Sequence, residues 1–178
     1  MKFRLVAVLA ILLPSSLFAY GSLGAVAAPS AAPARCQNTQ LLYSRVMNSA
    51  GAGHVGVMYR VHNQAPAACT LYGYPGAELL DRQFHSLPTT VQRGAGYLTG
   101  RRYEHLVTLS GSNNGYFAIE WVHFPTPGQT CPKAPYIMIT APGNRLPTVT
   151  YARAEGGPID ACGGILHVSP IQPKRFSF

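Results

Sequence analysis

Charged residues are scarce in this chain of 178 residues. Asp, Glu, Lys and Arg make up 11% of it, whereas an ordinary soluble domain carries roughly 25%. The apolar fraction is 47%, so disorder driven by excess charge is excluded. Only six residues are acidic, and this leaves few carboxylates from which a catalytic pair could be built.

Catalytic and nucleotide-binding motifs are also missing. The sequence contains no P-loop, no G-x-G-x-x-G and no H-E-x-x-H. The loop Gly111–Gly115 contains a serine between glycines, but its spacing is not the G-x-S-x-G of an α/β-hydrolase. The six histidines offer pairs without a third ligand, and structural zinc needs three or four ligands. We therefore expect neither a metal nor another cofactor.

Long amphipathic helices are not evident, and turn-forming residues are abundant instead. The chain has 18 Gly and 15 Pro, above their usual combined share of roughly 12%. The one helix-like segment is Thr39–Met47, where Leu42 and Val46 are four residues apart. Because Thr39 could cap a helix and Gly51 could end it, we expect a short helix or turn there.

Alternating apolar positions predict a sheet protein. Val55, Val57, Tyr59 and Val61 recur at every second position, which indicates a strand with one buried face. Comparable runs separated by turn residues raise the expected total to about eight strands, at 54–62, 69–72, 77–80, 104–109, 117–122, 136–140, 149–151 and 165–169. In the fourth run we expect His105 on the same side as Val107. Many short strands without long helices predict an antiparallel β-sandwich.

The amino terminus resembles an export signal. A short basic segment ending at Arg4 precedes the apolar run Leu5–Leu13, and Ala25-Val26-Ala27 has the pattern that a signal peptidase reads. We expect residues 1–27 to be removed by cleavage after Ala27, with Ala19 as a second candidate. No cysteine stands at the cleavage point, so a lipoprotein is not expected.

An uncleaved signal anchor is the alternative, because no charge occurs between Arg4 and Arg35. Only in that case do we expect contact with a membrane. With cleavage, residues 28–35 form an Ala/Pro-rich tether and residues 36–178 a single domain. Twelve basic and six acidic residues then remain. The sequence thus predicts a secreted or extracytoplasmic protein and leaves association with a cell wall open.

The chain has four cysteines, Cys36, Cys69, Cys131 and Cys162. In an oxidising compartment two disulfides are expected, and four cysteines allow three pairings. Our preferred pairing is Cys36–Cys69 with Cys131–Cys162. Each bridge would close a loop of about thirty residues and contribute roughly 3–4 kcal/mol to stability. Zinc sites usually contain close C-x-x-C pairs, which this sequence lacks.

Several of these segments together resemble a known family. The most specific is Cys69–Gly76, which reads Cys-Thr-Leu-Tyr-Gly-Tyr-Pro-Gly. The others are Gly53-His54, Asn63, Leu79-Leu80-Asp81, Val107-Thr108-Leu109, Cys131, Ala141-Pro142-Gly143, Cys162-Gly163 and Val168-Ser169-Pro170-Ile171. From about Cys36 to Gln172 the chain resembles the secreted actinobacterial domain of unknown function 4232.

This resemblance implies an exported protein with an immunoglobulin-like sandwich and two disulfides. It implies no activity and supplies no catalytic residues. The chain departs from the family at Ser110-Gly111, where the family usually has Pro-Gly after the Val-Thr-Leu strand. That departure changes one turn and leaves the expected fold intact.

A basic, Tyr-containing segment is the candidate binding loop, which we place at Gln92–Arg102. The candidate binding residues are Arg93, Tyr97, Arg101, Arg102 and Tyr103. Exposed tyrosine rings suit sugar or peptide recognition, and arginine side chains match phosphates and carboxylates. Anionic wall polymers or lipid headgroups are therefore the candidate ligands, whereas nucleic acid is not expected outside the cytoplasm. The alternative is that the basic residues only make the surface soluble.

Two further expectations concern neighbouring residues. Arg82 is expected near the arginines of this loop. Tyr72 and Tyr74 are expected to cover the sheet edge or the core rather than to bind a ligand.

The leading hypothesis is a non-enzymatic module that binds an envelope or extracellular partner through loops. An extracytoplasmic hydrolase or metal-dependent enzyme is the alternative, and it requires His105, His123 and an acid such as Glu104 to converge in a cleft. Glu120, between Ile119 and Trp121, is expected to be a solvated acid that points away from the core. A structural or inhibitor protein with a flat apolar patch is a third hypothesis.

Overall fold

The computed structural model describes residues 31–154 and 157–178. The predicted signal peptide, residues 1–27, and the first three residues of the predicted tether lie outside these ranges. Residues Ala32–Phe178 form one compact unit. In the part of the chain that the structure describes, no helix has both the length and the apolarity needed to cross a membrane.

Strands dominate this unit, and short 3₁₀ turns at Asn38–Gln40 and Cys162–Gly164 accompany them. Within the described ranges there are twelve strands: β1 Leu41–Gly51, β2 His54–Asn63, β3 Cys69–Leu71, β4 Gly76–Leu80, β5 Thr90–Arg93, β6 Val107–Leu109, β7 Gly115–Val122, β8 Tyr136–Thr140, β9 Thr148–Tyr151, β10 Arg153–Ala154, β11 Gly157–Pro158 and β12 Ile165–Val168.

The strands form a five-stranded sheet in the order β1-β2-β7-β12-β5 and a three-stranded sheet in the order β4-β8-β9. Two-stranded sheets pair β3 with β6 and β10 with β11. The pairs are antiparallel except for β5 with β12, which is parallel. The predicted immunoglobulin-like β-sandwich is thereby confirmed, apart from this one parallel pair at the edge of the larger sheet.

The core explains the alternation seen in the sequence. Every second residue of β2 and β7 joins one buried cluster, together with residues of β4 and β8: Val57, Tyr59, Val61, Phe117, Ile119, Trp121, Leu79, Ile137 and Ile139. Each fully buried aliphatic side chain of this kind contributes about 1.5–3 kcal/mol. Strand periodicity is therefore enforced by burial between the sheets.

Both disulfides adopt the preferred pairing, Cys36–Cys69 and Cys131–Cys162. The first links the segment before β1 to the start of β3. The second links the loop after β7 to the 3₁₀ turn before β12. Each bridge thus fixes a loop against the sandwich, and the preferred pairing is confirmed.

The expected helix or turn at Thr39–Met47 is wrong. Only Asn38–Gln40 is helical, and from Leu41 the chain is β1, paired with β2. The register shifts between Arg45 and Met47 because Val46 forms a bulge. The bulge interrupts the two-residue period. The spacing of Leu42 and Val46 did not exclude a strand, because residues four apart share a face in a strand as well as in a helix.

Each of the eight predicted strands overlaps an observed strand. The strands β1, β5, β10 and β11 were not predicted. The predicted strand at 104–109 is shorter than expected, since β6 spans only Val107–Leu109. Val107 and Leu109 are both buried. His105 lies before the strand and is exposed, which corrects its expected place on the same side as Val107 and Leu109.

The outward face of the five-stranded sheet is covered in part by the carboxyl-terminal residues. A Cβ atom built at Gly56 in β2 would lie 2.6 Å from the ring of Phe178. The phenyl ring therefore packs directly on the backbone of β2. The loop 94–102 covers the same face of the sheet beside this contact, over Glu120 of β7, which is the cross-strand partner of Gly56.

Candidate functional site

A cleft of about 620 Å³ lies where the loop after β5 meets the segment after β3. We call it the Arg/Tyr cleft. Its lining residues are Tyr72, Tyr74, Arg93, Gly94, Ala95, Arg101, Arg102, Tyr103 and Glu104. Four of the five candidate binding residues, Arg93, Arg101, Arg102 and Tyr103, are thus brought together, although 10 positions separate the first from the last.

Arg93 and Arg101 provide its free positive charge. Both are exposed, and every close contact between a basic side chain and a carboxylate among the described residues involves a histidine. Neither guanidinium is therefore neutralised by a carboxylate in the described part of the chain. Exposed, unpaired guanidinium groups can hold a carboxylate or phosphate through two parallel hydrogen bonds.

Arg102 has a supporting role instead. Its Nε donates to the carbonyl of Thr99 at 3.1 Å, and an Nη donates to the carbonyl of Ser177 at 3.0 Å. The guanidinium also lies over the ring of Phe176, 4.4 Å from the centroid. Arg102 thereby joins the loop to the carboxyl terminus, and its donors are largely used within the protein.

Two of the three tyrosines of the Arg/Tyr cleft are exposed, with 58% of Tyr72 and 70% of Tyr103 accessible. Tyr72 is therefore not the core residue that its sequence context suggested, and Tyr74 is half-buried. The negative charge of Glu104, together with its hydrogen bond to the Tyr72 hydroxyl, raises the pKa of Tyr72. The carbonyl of Tyr103 accepts a hydrogen bond from Gln172 at 2.8 Å.

Glu120 holds the loop in place. Its carboxylate accepts hydrogen bonds from the backbone N–H groups of three consecutive residues, Tyr97, Leu98 and Thr99, at 2.8, 2.9 and 3.0 Å. Glu120 is fully buried, so the expectation of a solvated acid is wrong. It does point away from the core, but the loop closes over it. A carboxylate with several charge-assisted hydrogen bonds is a strong anchor for a loop.

Tyr97 lies outside the cleft. Its ring stacks on His54, with centroids 4.7 Å apart and planes 22° apart, and the His54 ring in turn contacts Glu120. The sequence placed Tyr97 among the binding residues because it lies between Arg93 and Arg101. In the structure its ring packs against the anchor of the loop.

Sequence reasoning did not assign Tyr72, Tyr74 or Glu104 to binding. They come from segments outside Gln92–Arg102, and only the packing of β3 beside the loop places them there. Arg82 was expected near the arginines of this loop. In the structure it lines a different groove instead.

The convergence that the enzyme hypothesis requires is not found. Glu104 contacts Tyr72, His123 contacts Asp160 at 2.7 Å, and His105 is exposed. The pocket of about 440 Å³ beside His123 has no serine, threonine or cysteine among its described lining residues. Nor do the described residues contain three or more His, Cys, Asp or Glu grouped to hold a metal ion.

Residues 20–172 match the model of a protein family described as "Domain of unknown function (DUF4232)". This range includes the Arg/Tyr cleft, both disulfides and Glu120. Searches of curated proteins and of solved structures returned no match. The family description assigns no activity, so a function has to be argued from the geometry.

Proposed function

This chain belongs to the family of the domain of unknown function DUF4232, and we propose that it is an extracytoplasmic, non-enzymatic binding module. The two disulfides support this location, because such bridges persist in oxidising compartments. The amino-terminal sequence supports it as well, since it has the three parts of an export signal.

The Arg/Tyr cleft carries the proposal. It combines two exposed guanidinium groups, those of Arg93 and Arg101, with exposed tyrosine rings. Such a combination suits a ligand that has anionic groups on a partly apolar frame. We propose an anionic polymer of the cell envelope as that ligand.

The anchoring of the loop strengthens this proposal. Three consecutive backbone N–H groups are fixed by one buried carboxylate, that of Glu120. The backbone between Arg93 and Arg101 is thus ordered before any ligand arrives. A preorganised loop loses less conformational entropy on binding, and this loss is one of the main costs of association.

Cosedimentation with cell-wall material from the organism that encodes the chain tests the proposal. We expect the double variant Arg93→Ala/Arg101→Ala to bind at least about tenfold more weakly, because it loses two charge-assisted contacts. Binding by the unaltered protein should decrease as the salt concentration rises, since exposed charges are screened.

The double variant Arg145→Ala/Lys174→Ala is the matched control. It removes the same charge from two exposed residues outside the Arg/Tyr cleft, so it should bind as the unaltered protein does. Equal loss in both variants would reveal a general effect of net charge and refute a role for the cleft. Release of soluble fragments from the wall material would instead favour the enzyme hypothesis.

A further inference from the structure

A second groove, of about 740 Å³, lies at the end of the sandwich beside the β10–β11 hairpin. We call it the basic groove. Its described lining consists of four cationic residues, two tyrosines and four small or apolar residues: Arg45, Arg82, Lys133, Arg153, Tyr136, Tyr151, Pro135, Ala154, Gly157 and Pro158. It shares no residue with the Arg/Tyr cleft.

The charge of the basic groove is unbalanced. All four cationic side chains belong to exposed residues, and no acidic residue occurs among the described lining. The ion pairs within residues 31–154 and 157–178 involve none of these four cations. Four like charges that line one groove, with no acidic residue among the described lining residues, create a positive potential, which draws an anionic ligand into the groove.

The cations come from four separate segments of the chain. Arg45 is in β1 of the five-stranded sheet, and Arg82 follows β4. Lys133 precedes β8, and Arg153 begins β10. The four cations thus reach the groove from different elements of the fold and not from one contiguous segment. A nucleic acid is not expected as the ligand of an extracytoplasmic protein, so an anionic ligand of another class is the better candidate.

Two tyrosine rings line the groove together with these charges. Tyr136 of β8 and Tyr151 of β9 are direct cross-strand partners, with ring centroids 5.4 Å apart and planes 34° apart. Phe84 extends the row, 4.4 Å from Tyr136. The guanidinium of Arg153 lies 5.4 Å from the ring centroid of Tyr151. The rings thus make a continuous surface with apolar faces and hydroxyl groups.

We propose that the basic groove binds an acidic oligosaccharide, whose carboxylate or phosphate groups contact the cations while its sugar rings lie against the tyrosines. A sugar ring offers C–H groups to an aromatic face and hydroxyls to a tyrosine hydroxyl or an arginine, and both kinds of partner are present side by side. A free inorganic anion would use the cations alone and gain nothing from the rings.

Isothermal titration calorimetry with the full chain and three oligosaccharides of equal length tests this assignment. The probes are an oligogalacturonate, which carries carboxylates, a phosphorylated oligomannoside, and a neutral maltooligosaccharide. We expect heat of binding from one or both acidic probes and none from the neutral one. The two acidic arms decide whether the ligand anion is a carboxylate or a phosphate. Binding of the neutral probe with equal affinity would overturn the proposal.

Variants locate the site. We expect Arg45→Gln/Arg153→Gln to weaken binding of the acidic probe at least about tenfold, and Tyr151→Ala to weaken it severalfold. The matched control is Arg145→Gln/Lys174→Gln, which removes the same charge from two exposed residues outside both the basic groove and the Arg/Tyr cleft and should leave this binding unchanged. All these residues are exposed, and thermal melts of each variant confirm that the fold is kept.

Three results would refute the assignment. Unchanged affinity in Arg45→Gln/Arg153→Gln would place the acidic probe elsewhere. Full retention of affinity in Tyr151→Ala, together with equal competition by inorganic phosphate, would reduce the groove to a site for simple anions. Tighter binding of single-stranded DNA than of either acidic probe would make the ligand a nucleic acid. Because the cleft and groove variants are separate, failure here leaves the proposed function of the Arg/Tyr cleft untouched.

Discussion

The imidazole Nδ1 of His54 lies 2.9 Å from Oε1 of Glu120, joining β2 to β7 on the outward face of the larger sheet. Glu120 is fully buried, and its two oxygens also accept hydrogen bonds from three backbone N–H groups of the loop 94–102. A carboxylate can only accept hydrogen bonds, so the histidine nitrogen that faces it is the donor. One acid thus joins both strands to the loop that bears the Arg/Tyr cleft.

Replacement of Glu120 by Gln should destabilise this arrangement. The amide has one oxygen, whereas donors approach both carboxylate oxygens. At least one backbone N–H would then face the amide NH₂ and remain unpaired in a buried place. We expect the free energy of unfolding to fall by about 2–4 kcal/mol, since such groups cost about 1–3 kcal/mol each. Urea unfolding measures this change, and hydrogen exchange should become faster at residues 97–99.

The variant Glu78→Gln is the control. It makes the same chemical change at a half-buried residue of β4, and we expect it to alter stability by no more than about 0.5 kcal/mol. If Glu120→Gln proved equally mild, Glu120 would not be the anchor of the loop.

Glu120 also shows where prediction from the sequence ends. The eight strands were predictable because alternation is local, as in Val57, Tyr59 and Val61. The three backbone N–H groups that donate to Glu120 lie 21 to 23 positions away in the chain, on a loop whose path cannot be seen from the sequence. The available signal for its burial was its position between Ile119 and Trp121, in a strand that has neighbouring strands on both sides. β1 was missed for a different reason, because the bulge at Val46 disturbs the period on which the prediction depends.

Two buried tyrosines should respond in opposite ways to removal of their hydroxyl groups. The Tyr59 hydroxyl has no hydrogen-bond partner among the described residues, whereas that of Tyr43 donates to Asn38. Burial raises the pKa of both, so both hydroxyls are protonated at neutral pH. We expect Tyr59→Phe to be neutral or to stabilise by up to about 1 kcal/mol, because it removes a desolvated group.

Tyr43→Phe is the matched control and should destabilise by about 0.5–1.5 kcal/mol, since it removes one of the two hydrogen bonds that Asn38 Oδ1 accepts and leaves the one from the Ala141 N–H. Thermal and urea unfolding of the two variants compare the effects directly. A clear loss of stability in Tyr59→Phe would mean that its hydroxyl has a partner in solution.

The contact between Gly56 and Phe178 predicts a coupled pair. A Cβ at Gly56 would lie 2.6 Å from the Phe178 ring, so Gly56→Ala should displace this ring and lower the free energy of unfolding by about 1 kcal/mol. In a Phe178→Ala background the same change should cost less, because the obstructing ring is absent. A double-mutant cycle measures the difference, and additivity of the two changes would contradict the packing seen here.

The ionisation of Tyr72 reports on the Arg/Tyr cleft. The negative charge of Glu104 opposes formation of the phenolate, and the hydrogen bond to its carboxylate holds the phenol proton, so both raise the pKa of Tyr72. The variant Glu104→Gln removes the charge, and we therefore expect the pKa of Tyr72 to fall toward its ordinary value of about 10. A pH titration of the Tyr72 ring by NMR measures the shift, and Glu78→Gln, which removes a distant carboxylate, should leave it unchanged. An equal pKa in the unaltered protein and in Glu104→Gln would show that the two side chains are apart in solution.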